Sequence, residues 1–219
     1  FLKIKQTNHK LESMNISIKF TDEFMVAVRD NTEYTLRFDV ESTGEHMERT
    51  IDARKFFEEF CECQWSFGDP GGAWIDTIRN YNLLSGYPEY QIDCSNPCAE
   101  FWGNSGNSCN LTSINLYNVV SHPFTKEAKV DYGKLKQLVT TSVVALNNIL
   151  DYGYELQPLE INRKCIDDWR SIGLGVMGIA DMYVALGLRY GSEEANGLTE
   201  DVFHVILKES IRASAMLAS

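Results

Sequence analysis

No run of about eighteen consecutive apolar residues occurs in this 219-residue chain, which excludes a membrane-spanning helix. Basic residues are scarce, with 20 Lys and Arg against 31 Asp and Glu, a formal charge of −11. Contacts to a nucleic-acid polymer need clustered Lys and Arg, so a broad polynucleotide-binding face is excluded. One small anionic ligand is still allowed, because a local set of donors is enough to hold it. Histidines are few and scattered, at positions 9, 46, 122 and 204. The pairs Cys61–Cys63 and Cys94–Cys98 lack the matching second pair that a zinc site uses, so no metal site is expected. An initiator Met and a signal-peptide pattern are also missing: the opening Phe1-Leu2-Lys3-Ile4-Lys5 reads as the middle of a longer polypeptide. The six cysteines are expected to be mostly reduced, as in a cytoplasmic chain.

What is present is an ordinary globular composition, 44% apolar and 23% charged, with enough chain for one domain, 1–219, and no separate second domain. Alternation from Met14 to Phe20 predicts a strand with one face buried. Thr21 is placed to cap a short helix, Asp22 to Arg29, with acidic residues in its first turn. Tyr34 to Val40 reads as a second strand and the polar stretch Glu41 to Glu48 as a turn. Helical spacing of Ala53, Phe56, Phe57, Phe60, Cys61 and Trp65 predicts a helix over 52–67, stopped by Gly68-Asp69-Pro70-Gly71-Gly72. Residues 80–92 read as irregular and 111–120 as strand passing into a turn. Further helices are expected over 131–150, with Leu135, Leu138, Val139, Val143, Leu146 and Ile149 as its stripe, and over 169–186 and 199–217. Helices interleaved with short strands give an α/β class.

The chemistry concentrates in Asn96-Pro97-Cys98-Ala99-Glu100, with Cys109 a short loop away in Cys109-Asn110-Leu111-Thr112-Ser113-Ile114-Asn115-Leu116. A thiol can become a hydrogen-abstracting radical, a carboxylate can take a hydroxyl proton, and a second thiol can supply reducing electrons. Together they suit radical chemistry on a polyhydroxylated substrate. Pro97 fixes its own φ and restricts Asn96, which stiffens the loop around the sulfur. In an extended chain Glu100 would lie on the same side as Cys98. Cys109 is read either as a core residue or as half of a redox pair; a bond to Cys98 satisfies spacing but would consume the first thiol. Cys61, Cys63 and Cys165 read as small core residues. Gly173-x-Gly175-x-x-Gly178 matches a dinucleotide-binding fingerprint in letters only. The stretch 164–171 before it is polar and no well-placed acidic residue follows, so a steric role at a helix start is expected.

The 96–116 stretch resembles the finger loop of the ribonucleotide reductase large subunit. Three further segments agree with that family in order: Asn15-Ile16-Ser17-Ile18 running into Thr21-Asp22-Glu23-Phe24-Met25, then Gly68-Asp69-Pro70-Gly71, and Trp169 to Gly178 leading to Ala180-Asp181 and Tyr190. The resemblance runs from about Phe1 to Ala195. It implies part of a ten-stranded α/β barrel with a central finger loop at about 94–111. By the same resemblance Cys98 is the thiyl-radical cysteine that takes the ribose 3′-hydrogen, and Glu100 deprotonates the 3′-hydroxyl. Asn96 hydrogen-bonds the ribose hydroxyls, and Ser95, Asn96 and Glu100 contact the substrate. Cys109 becomes half of a disulfide whose other half lies far upstream in the family and has no counterpart here. The implied radical source is adenosylcobalamin, the alternative being a metal-containing partner subunit. The implied partners are a ribonucleotide substrate, the remaining segments of the reductase or a companion chain, and an external dithiol reductant such as thioredoxin; a homodimer is allowed. The family's nucleotide-sensing loop would lie before this chain and its phosphate-binding segment after it. A second reading is a non-catalytic regulatory or assembly protein that keeps the barrel.

Overall fold

The computed structural model describes residue 2 and residues 13–219, which group into two compact units, Phe1–Asn104 and Ser105–Ser219. In the first, strand β1 (Ser17–Phe20) buries Phe20 and points Lys19 outward. The alternation thus holds at the end of its expected range, while Met14 is exposed and lies before the strand. The Thr21 hydroxyl accepts from the Phe24 amide at 3.1 Å and opens helix α1 (Asp22–Asp30). Strands β2 (Glu33–Val40) and β3 (Glu45–Asp52) pair antiparallel from Glu33↔Asp52 to Val40↔Glu45. The expected turn over 41–48 is therefore too long. Only 41–44 turns, and β3 was concealed because most of its residues are exposed on both faces, which erases alternation.

Asp52 accepts from the Lys55 amide at 2.9 Å and starts helix α2 (Ala53–Phe67), which Gly68 ends at φ +71°. The helix is rotated from the expected stripe: Cys63 is buried, whereas Cys61 and Trp65 face solvent. Strand β4 (Gly71–Trp74) then pairs parallel with β1, and helix α3 (Ile75–Asn80) follows. The core of this unit is aromatic. Around Phe20 stand Phe24, Phe57 and Phe60 with ring centroids 5.2, 5.6 and 4.9 Å away, within the range where aromatic pairs attract. Residues 81–92 carry no regular element, and the unit closes with the short strands β5 (Cys94–Ser95) and β6 (Trp102–Gly103).

In the second unit, strand β7 (Asn110–Asn115) leads through a 3₁₀ turn (Leu116–Val119) to β8 (Val120–Ser121), which pairs with β9 (Lys129–Val130). Asp131 caps helix α4 (Tyr132–Tyr154), whose buried stripe is Leu135, Val139, Val143, Leu146 and Leu150; Ile149, expected inside, is exposed. Helix α5 (Glu160–Trp169) comes next, then strand β10 (Ile172–Met177), helix α6 (Ile179–Leu186) and helix α7 (Glu193–Leu217). The helix expected over 169–186 is thus a helix end, a strand and a new helix. Residues 172–177 are extended because β7 offers them a parallel edge, and the alternation of Ile172, Leu174 and Val176 with glycines is the local signal of it that the helical reading passed over. Leu116, Leu135, Val139, Met182 and Val202 form the centre of this core.

The chain is therefore mixed α/β, but its sheets among the described residues are two-stranded pairs, and no barrel closes within it. No helix of the described residues is long and apolar enough to cross a membrane. One carboxylate is buried where α4 meets α7. Glu209, 6% exposed, accepts from Arg212 at 3.0 Å and from the Thr140 hydroxyl at 2.8 Å, and these bonds hold its carboxyl below the usual range. A lowered folded pKa means stability that is present above the unfolded value, about 4.3, and is lost as pH falls through the folded one. The urea midpoint of the wild type should thus drop more steeply below about pH 4.3 than that of Glu209→Gln, which cannot titrate. Parallel slopes for the two proteins would refute it.

Candidate active site

Residues 94–103, within the expected finger loop, form a hairpin. Cys94 pairs with Gly103 and Ser95 with Trp102, and the chain reverses between Asn96 and Phe101. Asn96 closes this turn three times. Its amide donates to Phe101 O at 3.3 Å, its carbonyl accepts from Ala99 N at 3.0 Å, and its side-chain Oδ1 accepts from Phe101 N at 3.2 Å. The indole of Trp102 adds a bond to Ala99 O at 3.1 Å. Ala99 sits at φ +62°, a left-handed conformation costing roughly 1–2 kcal/mol for a residue with a Cβ. Cys98 and Glu100 flank it, both exposed. The extended-chain expectation fails here, since a left-handed residue between them breaks the alternation that would place thiol and carboxylate on one side.

The hairpin's base is held by side chains from elsewhere in the same unit. Lys19 Nζ donates to Asp93 O at 2.8 Å, and Arg79 Nε donates to Ile92 O at 3.1 Å while its guanidinium stands 3.7 Å from the Asp93 carboxylate. Between β1 and the hairpin lies a groove of about 360 Å³, lined among others by Ser17, Lys19, Asp93, Ser95, Asn96, Pro97 and Trp102. Ser95 and Asn96 thus share a concavity with a cation; Cys98 and Glu100 stand on the turn beyond it. Lys19 and Arg79 are functional candidates that the motifs did not mark. Lys19 was signalled only by its polar position in an alternating strand.

Cys109 belongs to the second unit, half-buried just before β7. Its Sγ lies 3.8 Å from Asn110 O, a weak contact, and the Asn110 carboxamide donates to Leu146 O of α4 at 2.9 Å. The turn ahead of it is fastened to α5: Asn162 Nδ2 donates to Gly106 O at 2.7 Å and the Cys165 thiol to Ser105 O at 3.4 Å. Cys165 is buried, as expected. The glycine motif adopts no dinucleotide cradle, since Gly173 and Gly175 lie inside β10 and only Gly178 stands at a helix start. Its expected steric role therefore falls on a strand, not on a helix.

A family model of the ribonucleotide reductase barrel domain matches residues 1–219. The chain belongs to the ribonucleotide reductase family. Among curated relatives, it is 33% identical over 219 residues to a vitamin B12-dependent ribonucleoside-diphosphate reductase of Thermoplasma acidophilum, covering 100% of this chain and 27% of that protein. A vitamin B12-dependent ribonucleoside-diphosphate reductase of Mycobacterium tuberculosis is 32% identical over 95% of this chain and 28% of its own length. A vitamin B12-dependent ribonucleotide reductase of Rhodopirellula baltica is 28% identical over 95% of this chain and 19% of its own. The chain thus spans under a third of the length of these reductases.

The triple closure by Asn96 makes a direct prediction. In Asn96→Ala the Phe101 amide should exchange about tenfold faster with solvent deuterium, while Asn96→Asp, which keeps the acceptor oxygen, should preserve its protection. Equal protection in all three proteins would show that the side-chain bond does not hold the turn.

Proposed function

We propose that this chain is a catalytic-barrel segment of a ribonucleotide reductase, working with the remaining segments of that enzyme or a companion chain to convert ribonucleotides to deoxyribonucleotides. The observation that carries this reading is the turn itself. It lifts Cys98 to the apex of a hairpin tied by Asn96 and standing beside a Lys19-bearing groove, in a chain matched along its whole length by the reductase barrel.

The steps assigned to this chain start from a thiyl radical on Cys98. The sulfur takes the hydrogen atom from C3′ and becomes a thiol, leaving a carbon radical on the ribose. Glu100 takes the 3′-hydroxyl proton, which favours loss of the 2′-hydroxyl as water. Asn96, whose Oδ1 is engaged with Phe101, keeps its Nδ2 to donate to a ribose hydroxyl. Cys109 and a second cysteine outside the chain supply two electrons and two protons and close into a disulfide. Of those two protons one leaves with the 2′-hydroxyl as water and one goes to C2′. Glu100 then gives its proton back to the 3′-oxygen, and Cys98 returns the hydrogen atom to C3′ and recovers its radical. In sum, a ribonucleotide and a dithiol give a deoxyribonucleotide, a disulfide and water. An external dithiol such as thioredoxin would reduce the disulfide.

Adenosylcobalamin, suggested by the names of the relatives, supplies a carbon radical when bound; a metal-containing partner subunit is the alternative source. The groove beside the hairpin suits a sugar in size but not a corrin macrocycle, so the described residues there do not fit that cofactor and hold no step of it.

The test uses the complete reductase that carries this segment, its subunit content first fixed by denaturing and native mass. Cys98→Ser should lower deoxyribonucleotide formation at least about a thousandfold with diphosphate and triphosphate substrates alike, because no other group replaces the radical thiol. Glu100→Gln should lower it about 10²–10⁴-fold. Activity surviving Cys98→Ser would overturn the reading and favour an assembly protein that keeps the barrel.

A further inference from the structure

Glycine inside a strand is less favourable than alanine, so one in mid-strand calls for a reason. Gly173 of β10 lies directly across from Leu111 of β7. Its φ lies outside the left-handed region, so conformational freedom does not explain it. A Cβ built there would strike Leu111 Cδ2 and come within 3.0 Å of Cys109 Sγ. The two contacts differ in kind. Leu111 is 63% exposed and its far methyl can swing away. The Cys109 sulfur sits one bond from its Cβ and has no flexible tail, so it yields by turning about χ1 or by shifting with its own backbone, and either displaces the thiol. Gly175, two residues on, is a built-in control: a Cβ there would meet Ser113 Oγ at 3.4 Å and Thr112 O at 3.7 Å, ordinary contacts.

The chain on either side of Cys109 in sequence is also held. The Ser105–Gly106 turn is fastened to α5 by Asn162 and Cys165. Gly106, at φ +83°, packs so closely on Ile161 that a Cβ would lie 2.5 Å from its Cγ1. Asn110 is anchored to α4 through Nδ2, although its Oδ1 is buried without a hydrogen-bond partner among the described residues. The Nδ2 bond to α4 on one side and the turn bonded to α5 on the other tether the chain next to Cys109.

We propose that Gly173 is a positioning residue for Cys109: its missing side chain gives the sulfur its place across β10 and so sets the direction in which the thiol points. The inference rests on the reading of Cys109 as half of the redox pair, and it names the residue that aims that half.

The test compares Gly173→Ala, Gly173→Ala/Leu111→Ala and Gly175→Ala in the complete reductase, each verified as folded by its thermal midpoint. The rate of Cys109 alkylation by iodoacetamide is followed by peptide mass spectrometry, with exposed Cys61 as internal reference. Gly173→Ala should change the Cys109 rate by at least about threefold relative to Cys61, since alkylation follows thiol access, and Leu111→Ala should not restore it. Gly175→Ala should leave the rate unchanged. With a dithiol reductant, kcat should fall about tenfold in Gly173→Ala while KM for the nucleotide holds, as expected for a misaimed group that does not bind substrate. An unchanged alkylation rate, or one restored by Leu111→Ala, would overturn the proposal and leave the glycine as room for Leu111 alone. Failure of the redox reading is seen separately: Cys109→Ser would then retain full dithiol-driven turnover, whatever the alkylation rates show.

Discussion

Six rungs of parallel pairing, from Asn110↔Ile172 to Asn115↔Met177, are the constraint on which the second unit depends. Parallel strands cannot be joined by a tight turn, so the chain between them must travel, and it does so through α4 and α5. The apolar stripe of α4 covers the pair, with Leu135, Val139 and Leu146 fully buried. A slip of one residue would turn every side chain of β10 to the other face and set a residue with a Cβ where Gly173 now faces Leu111. Burial therefore fixes register, and register fixes what lies against the Cys109 sulfur. The position of a chemically interesting thiol is in this sense a consequence of leucines and valines packed elsewhere.

The first unit uses the same logic on a smaller scale. Phe20 and Lys19 are sequence neighbours on β1, and neighbours on a strand point to opposite faces. Phe20 enters a cluster of four further aromatic rings, each within about 6 Å, where large flat surfaces are removed from water. That anchorage directs Lys19 outward, where it bonds the carbonyl of Asp93 at the root of the hairpin. The hairpin itself has only two paired rungs, too few to be stable alone. Its order comes from the Asn96 carboxamide within and from Lys19 and Arg79 at the base.

What the sequence disclosed follows from the range of the interactions. Thr21 and Asp52 act on amides three residues away, and Gly68 acts on its own backbone, so the helices they bound could be placed from the letters. The candidate residues of the 96–100 stretch were picked out the same way, because an amide, a thiol and a carboxylate in five positions form a distinctive set. Strand β10 was not, although Ile172, Leu174 and Val176 alternate, since its extended state is imposed by β7, and in isolation its apolar residues also satisfy a helical period. Strand β3 lacks a buried face to mark it, and on α2 a modest rotation exchanges Cys61 for Cys63. The hardest feature to foresee was Ala99. Nothing about alanine announces φ +62°, yet that angle decides how Cys98 and Glu100 are arranged.

On the proposed reading, the exposure of Cys98 and Glu100 has a physical implication for the division of labour within the reductase. A thiyl radical and a ribose radical must be kept from solvent and from stray hydrogen donors, and a carboxylate works as a base on a sugar hydroxyl more effectively where water is excluded. A hairpin whose reactive residues face solvent gives orientation without enclosure. The relatives devote more than two thirds of their length to sequence outside the matched region, and the enclosing surface has to be drawn from there. Orientation is the part that local hydrogen bonds and a glycine can supply. Seclusion is the part that needs bulk, and on the same reading it is why a stretch proposed to hold the radical thiol and one redox thiol would need the rest of the enzyme for turnover.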